Sequence, residues 1–208
     1  MATYRGIKGV KVQSLASDPT LIEGDVWYNN ATYALKYAAT AASGGTWASA
    51  PALTEGRDAG GSAGASNTSG VVFGGDTPGK TTNTETFDGS AWTETGNFTT
   101  GTAYCAGWGI QTAAMLAGGQ QLGASPPYNN TNTETFNGTS WTSTPAITSS
   151  RSATTGAGTT TSGMLIGGQN PAYSPAYVGY TESFDGSTWT EKADLNTGRS
   201  YVSSSGTS

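Results

Sequence analysis

The chain has 208 residues and a formal charge of −5, and only 11% of it is charged, against about 25% in ordinary soluble domains. Gly, Ser and Thr fill the difference, which favours short strands and turns over long helices. With no histidine and one cysteine, an internal disulfide, a His/Cys zinc site and Ser-His-Asp or Cys-His catalysis are all excluded.

In chain order, Arg5, Lys8 and Lys11 make the first eleven residues basic. They read as a solvated end or a small contact arm. The acidic remainder makes nucleic acid a poor partner. The N-terminus lacks the apolar core of a signal peptide, and no apolar run approaches the ~20 residues of a membrane span. Ser17-Asp18-Pro19-Thr20 is a turn signal. Gly24-Asp25-Val26-Trp27-Tyr28-Asn29-Asn30 predicts a short strand ending in a turn, and Thr32-Tyr33-Ala34-Leu35-Lys36-Tyr37-Ala38 predicts a second. Thr46-Trp47 reads as a weaker copy of a hairpin, with Trp47 in the place of Trp92.

From there the chain repeats. Thr84-Glu85-Thr86-Phe87-Asp88-Gly89-Ser90-Ala91-Trp92 returns at 133–141 and again at 181–189. Asp-Gly or Asn-Gly is the pair a tight hairpin turn favours, because such turns need positive φ. Thr, Phe and Trp around it suit a half-buried strand surface. Two further markers keep step. Val71-Val72-Phe73-Gly74-Gly75 recurs at 115–119 and 164–168. Arg57, Arg151 and Arg199 each lie ten residues after a tryptophan, with Thr102 in that place in the second copy. One unit is an Arg-led, Ala/Gly-rich strand, an apolar strand ending in Gly-Gly, a variable loop, the Thr-Glu-Thr-Phe strand and a Trp strand. Four short strands in about 48 residues is the size of one propeller blade.

The order of these residues resembles the Kelch repeat, with Gly74-Gly75, Phe87, Trp92 and their equivalents in the positions of that family's double glycine and aromatics. The resemblance covers residues 47–208. It implies an all-β fold of Kelch-like β-propeller blades, three complete four-stranded repeats at about 47–92, 93–141 and 142–189 and a partial one at 190–208. Residues 1–46 would be an N-terminal attachment arm and partial hairpin. Rings of this kind have 4–8 blades. Residues 32–47 could supply outer strands of a further blade, and Arg199-Ser200-Tyr201-Val202 begins an inner one. The sequence is thus expected to be a fragment of a longer chain, or one of several chains that assemble. The wording Glu-x-Phe-Asp-Gly-Ser-x-Trp, and the leader Val12-Gln13-Ser14-Leu15-Ala16-Ser17-Asp18-Pro19 with Glu23 to Asn29, are similar to Kelch-like repeats of tailed-phage virion proteins. That likeness implies a non-enzymatic tail, fibre or decoration protein on the particle exterior. Other virion proteins would be its partners through the arm, with self-association and a host-surface glycan or protein as further possibilities, and no cofactor or metal is implied. A carbohydrate-binding module and, behind it, a glycosidase are the alternatives.

Candidate chemistry is sparse. Gly74-Gly75-Asp76-Thr77-Pro78-Gly79-Lys80-Thr81 matches a phosphate-binding P-loop, but that mechanism needs a helix after the lysine, and a strand is predicted there. Glu85, Glu134 and Glu182 recur once per repeat. Paired carboxylates can cleave glycosides; a repeated structural contact, such as one to the copy's arginine, is the plainer expectation. Cys105 reads as a small buried apolar residue. The N-x-S/T triplets at Asn67, Asn97 and Asn137 are expected by chance in so Ser/Thr-rich a chain. Copper radical oxidases of the Kelch type use histidine ligands, which are absent. The loops after Gly-Gly vary in length while the strands do not, as binding loops on a scaffold do. Their candidate surface residues are Tyr128, Asn129, Asn130, Tyr173, Tyr177 and Tyr180. Tyrosine and asparagine there either contact a sugar or protein or pack on their own blade or a neighbouring chain.

Overall fold

A computed structural model describes residues 13–18, 20, 26–37, 49–121, 128–172 and 176–206. The described residues are all-β, with no helix. They fall into two compact units, 1–49 and 50–208.

The first unit holds β1 (Gln13–Leu15), β2 (Val26–Asn29) and β3 (Ala34–Tyr37) in the order β1-β2-β3. The two expected strands are β2 and β3, paired antiparallel. β1 lies in a stretch without periodicity and joins β2 in parallel. Asp18 ties this sheet together. Its Oδ1 accepts from Trp27 Nε1 at 3.1 Å and Asn29 Nδ2 at 2.8 Å, and its Oδ2 pairs with Lys36 Nζ at 2.7 Å. The Lys36 contact, then Asn29 and Trp27, hold the Asp18 carboxyl at about 2, below the ordinary range.

The second unit contains three four-stranded antiparallel sheets of one design. The first is β4 (Gly61–Ser66), β5 (Ser69–Phe73), β6 (Thr84–Phe87) and β7 (Trp92–Thr95). In the second copy a short pair, β8 (Thr102–Ala103) with β11 (Gln120–Gln121), frames β9 (Ala106–Ile110), β10 (Ala113–Ala117), β12 (Thr133–Phe136) and β13 (Trp141–Thr144). The third is β14 (Thr155–Gly158), β15 (Gly163–Ile166), β16 (Thr181–Phe184) and β17 (Trp189–Glu191). Each sheet is a meander whose fourth strand begins at the tryptophan.

The hairpin signal is realised with its centre moved by one residue. Asp88 N–H donates to Ala91 O, so Gly89 and Ser90 form the turn, with Gly89 at φ +95°. Asp88 stands just before it, and its Oδ1 accepts from the N–H groups of Ser90 and Ala91. Asn137 and Asp185 do the same in the other copies. Beyond the turn, Phe and Trp face each other across the strands as 87–92, 136–141 and 184–189, with ring centroids 5.0, 5.1 and 5.0 Å apart.

Side-chain alternation gives the sheets two apolar faces, and stacking covers both faces of the middle one. β9 packs against β4 on one side and β14 on the other. Between the first and second sheets lie Val71, Phe73, Phe98, Cys105, Leu116 and Phe136, with Trp141 edge-on to Phe73. Between the second and third lie Trp108, Met115, Ile147, Leu165, Phe184 and Trp189. Each such fully buried side chain contributes about 1.5–3 kcal/mol. Cys105 is one of these packing residues, and burial pushes its thiol up to about 12.

The double glycines join one copy to the next. Both residues of each pair have positive φ, +63° and +104° at Gly118 and Gly119. The second glycine's N–H donates to the carbonyl of the next copy's arginine position: Gly75 to Thr102, Gly119 to Arg151, Gly168 to Arg199, at 2.9, 2.9 and 2.8 Å. A Cβ on Gly118 would lie 2.6 Å from Arg151 O. The motif thus meets two demands at once, a left-handed backbone and close approach of another chain segment.

Candidate functional site

The loops after Gly-Gly and the starts of the inner strands share one end of the sheets, because the residue after each double glycine pairs with the segment leading into β4, β9 or β14. These pairings are Asp58 with Asp76, Ala103 with Gln120, and Ser152 with Gln169. At this end Tyr128 and Tyr177 are exposed, and Tyr128 has φ +63°. Asn129 is engaged internally: its Nδ2 donates to Gln169 O at 2.9 Å, linking the second copy's loop to the third's. Asn130 is buried, and its Oδ1 accepts from Asn132 N–H. Tyr180 is half-buried, and its carbonyl accepts from Gly167 N–H. Tyr173 lies outside the described residues. Of the six expected surface residues, the structure therefore presents Tyr128 and Tyr177 to solvent and uses Asn129 and Asn130 to hold the loops.

A second group at the same end was not expected from the sequence. Ala59, Tyr104, Ala153 and Tyr201 each stand two residues after the arginine position, and all have φ between +51° and +56°. Tyr104 N–H donates to Ala59 O, Ala153 N–H to Tyr104 O, and Tyr201 N–H to Ala153 O. The rings of Tyr104 and Tyr201 meet edge-on at 6.3 Å. With Asp58, Cys105 and Thr154 they line a cleft of about 370 Å³. Burial, then the nearby Asp58 carboxylate, raise the Tyr104 hydroxyl above its ordinary range. A signal was present, since both tyrosines sit at one repeat position. Positive φ at a tyrosine comes from the surrounding backbone and cannot be read from composition.

A larger cleft of about 710 Å³ runs along the inner strands. It is lined by Ser62–Ala65, Gly107–Ile110 and Gly156–Thr159 with Ser204–Gly206. No charged side chain lines it. Its small residues follow from packing: a Cβ on Gly156 would lie 2.2 Å from the Trp108 ring.

The repeated glutamates are buried inside their own sheets. Glu85 pairs with Arg57 and Glu182 with Arg151, and each also accepts a backbone N–H, from Thr54 and Thr148. Burial pushes the Glu85 carboxyl up, but the Thr54 N–H and the Arg57 charge together hold it below its ordinary value. The structural contact expected between each glutamate and its copy's arginine is present in two copies. In the second, Thr102 replaces the arginine, and among the described residues Glu134 accepts from Thr99 N–H and Thr99 Oγ1 alone. After Lys80 the chain enters β6, so the P-loop pattern lacks its helix; Lys80 Nζ instead lies 4.0 Å from Asp76. Among the described residues no cluster of three His, Cys, Asp or Glu side chains could hold a metal, and no helix is long and apolar enough to cross a membrane. No protein-family model matches the chain, and no curated protein matches it.

Proposed function

We propose that the chain is a non-enzymatic structural component of a phage virion, a tail, fibre or decoration protein, in which Kelch-like propeller blades carry exposed loops and the N-terminal segment attaches to other virion proteins. The observation that carries the scaffold reading is the recurrence of the same bonds between successive sheets while the loops at one end differ. Equal steps of this kind form a ring where their rotation closes, and a closed ring would bury both faces of every blade. In the middle sheet Met115 and Leu116 are fully buried between neighbours. Met164, the counterpart of Met115 in the third sheet, is 40% exposed. The counterpart of Leu116 in the first sheet, Val72, is half-buried. These are the faces on which further blades would sit. The virion setting rests on the sequence likeness to tailed-phage repeats. Immunogold labelling of purified particles tests it: label on the tail or particle exterior is expected, and label confined to infected-cell lysate with none on particles rules it out.

The Tyr104–Tyr201 cleft favours a second reading, recognition of a carbohydrate. Two tyrosine rings beside the Asp58 carboxylate offer an apolar face and a hydrogen-bond acceptor, the pairing that sugars use. Glycan-array binding that disappears in Tyr104→Ala and persists in Tyr33→Ala is expected on this reading. No binding by the wild-type chain removes it.

A further inference from the structure

The second turn carries the one Asn-Gly pair of the chain, Asn137-Gly138, where the first and third turns carry Asp88-Gly89 and Asp185-Gly186. Asn137 is exposed. Its Oδ1 accepts from Thr139 N–H at 3.0 Å, Thr139 Oγ1 at 3.0 Å, Ser140 N–H at 2.9 Å and Ser140 Oγ at 3.3 Å. Among the described residues, nothing accepts from the Gly138 N–H and nothing holds Asn137 Nδ2. Gly138 has φ +97° and no side chain to shield its nitrogen.

An asparagine followed by glycine can react with its own backbone, because the next nitrogen closes a five-membered ring on the side-chain Cγ. In this turn each group that the reaction uses is free or supported. The nucleophile, Gly138 N, is unbonded, and so is the leaving group, Nδ2. Charge that builds on Oδ1 meets donors already aimed at it, as in a preorganised oxyanion site. The product is provided for as well. Asp88 Oδ1 accepts from the N–H groups of Ser90 and Ala91, and Asp185 Oδ1 from those of Ser187 and Thr188. An aspartate in the second turn would keep the same bonds and gain a charge that strengthens them.

We propose that Asn137 is a site of spontaneous deamidation in the folded chain, and that the second turn directs the product to aspartate, the residue of its sister turns. Solvent base takes the Gly138 N–H proton, and the nitrogen bonds to Asn137 Cγ. The Cγ–Nδ2 bond breaks, and Nδ2 takes a proton from water and leaves as ammonia. Water then adds to Cγ of the cyclic imide. The Cγ–N bond breaks, Gly138 N regains its proton, and a carboxylate remains on the original backbone. Opening at the backbone carbonyl instead would lengthen the main chain by one carbon. That would disturb the 3.1 Å bond from Asn137 N–H to Ser140 O and the Phe136–Trp141 pair behind it, so the closed hairpin favours aspartate over isoaspartate. The proposal is independent of the virion reading, since it rests on the turn alone.

Ageing the full chain in mildly alkaline buffer tests it, read by peptide mapping that resolves aspartate from isoaspartate. Asn137 is expected to convert, chiefly to aspartate. Asn97 is expected to stay intact: it is also exposed, but the buried Phe98 follows it and its Nδ2 donates to Asn83 Oδ1 at 3.3 Å. Thr139→Val, which removes one donor to Oδ1, is expected to slow conversion several-fold. Sucrose, which stabilises the folded state, is expected to leave the rate unchanged. In the aged protein the Thr139 and Ser140 amides are expected to gain an acid-induced shift that fresh protein lacks. Intact Asn137 after a synthetic peptide of residues 131–144 has converted overturns the proposal. So does a rate that falls in step with the stability gained from sucrose, because the reaction then runs through the unfolded chain. Isoaspartate in the proportion the peptide gives overturns the turn's control of the product.

Discussion

Tyr104 N–H donates to the carbonyl of Ala59 at 2.7 Å, and the same bond recurs one copy later from Ala153 to Tyr104 at 2.8 Å. These residues are 45 and 49 positions apart in the chain yet equivalent in the repeat. The bond therefore measures the step from sheet to sheet. It demands a left-handed backbone at each position, where an L side chain costs roughly 1–2 kcal/mol. Ala153→Gly keeps the bond and removes that strain, against a backbone-entropy cost of about 0.5–1 kcal/mol. Urea unfolding is expected to show a change between zero and about 1.5 kcal/mol in the stabilising direction. A loss larger than 1 kcal/mol would mean that the Ala153 methyl, not its backbone, holds the step.

The double glycine is predicted to be far less tolerant. Gly118→Ala places a methyl at φ +63° and 2.6 Å from Arg151 O. Left-handed strain and overpacking against backbone add to about 2–5 kcal/mol. Gly79→Ala is the control, because nothing lies within 4 Å of its Cβ position; a surface change of that sort stays within about 0.5 kcal/mol. Equal m-values with separated urea midpoints would assign the difference to stability alone.

Arg151 is fully buried with Glu182. Arg151→Met leaves the carboxylate uncompensated, and breaking a buried pair in this way costs about 3–5 kcal/mol. The double variant Arg151→Met with Glu182→Leu is expected to recover most of that loss, since apolar replacement of both partners is often neutral. A double variant no more stable than the single would show that the arginine acts through its bonds to Gly167 O and Ser149 O instead.

Much of the all-β scaffold could be read from the sequence because its markers have local causes. Gly74-Gly75 answers to positive φ, Phe87 and Trp92 to cross-strand pairing, and the Asp88-Gly89 region to a hairpin. The turn's centre lies one residue further on than the Asp-Gly pair suggests, because Asp88 acts as an acceptor for the turn's N–H groups and does not itself enter the left-handed region. The candidate surface was less legible. Asn129 and Asn130 have the composition of binding residues, but only the path of the loop shows that their amides are used internally. The absence of an arginine at Thr102 was visible. That Glu134 is buried all the same, with Thr99 as its donor, is a tertiary fact.

The three turns also form an internal experiment in pH. Backbone N–H bonds from Ala91 and Ser90 hold the Asp88 carboxyl below its ordinary value, and those from Ser187 and Thr188 do the same for Asp185. A carboxyl depressed in the folded state stabilises above its unfolded value, near 4, and that contribution is lost as pH falls through the folded value. Asn137 makes the corresponding bonds to Thr139 and Ser140 without a titrating group. Acidification below about pH 4 is therefore expected to move the amide resonances of Ser90, Ala91, Ser187 and Thr188 and leave those of Thr139 and Ser140 in place. Asp88→Asn should make the first turn as insensitive as the second while the third still responds. If all three turns shift together, the acid response is global unfolding, and the aspartates are not its local cause.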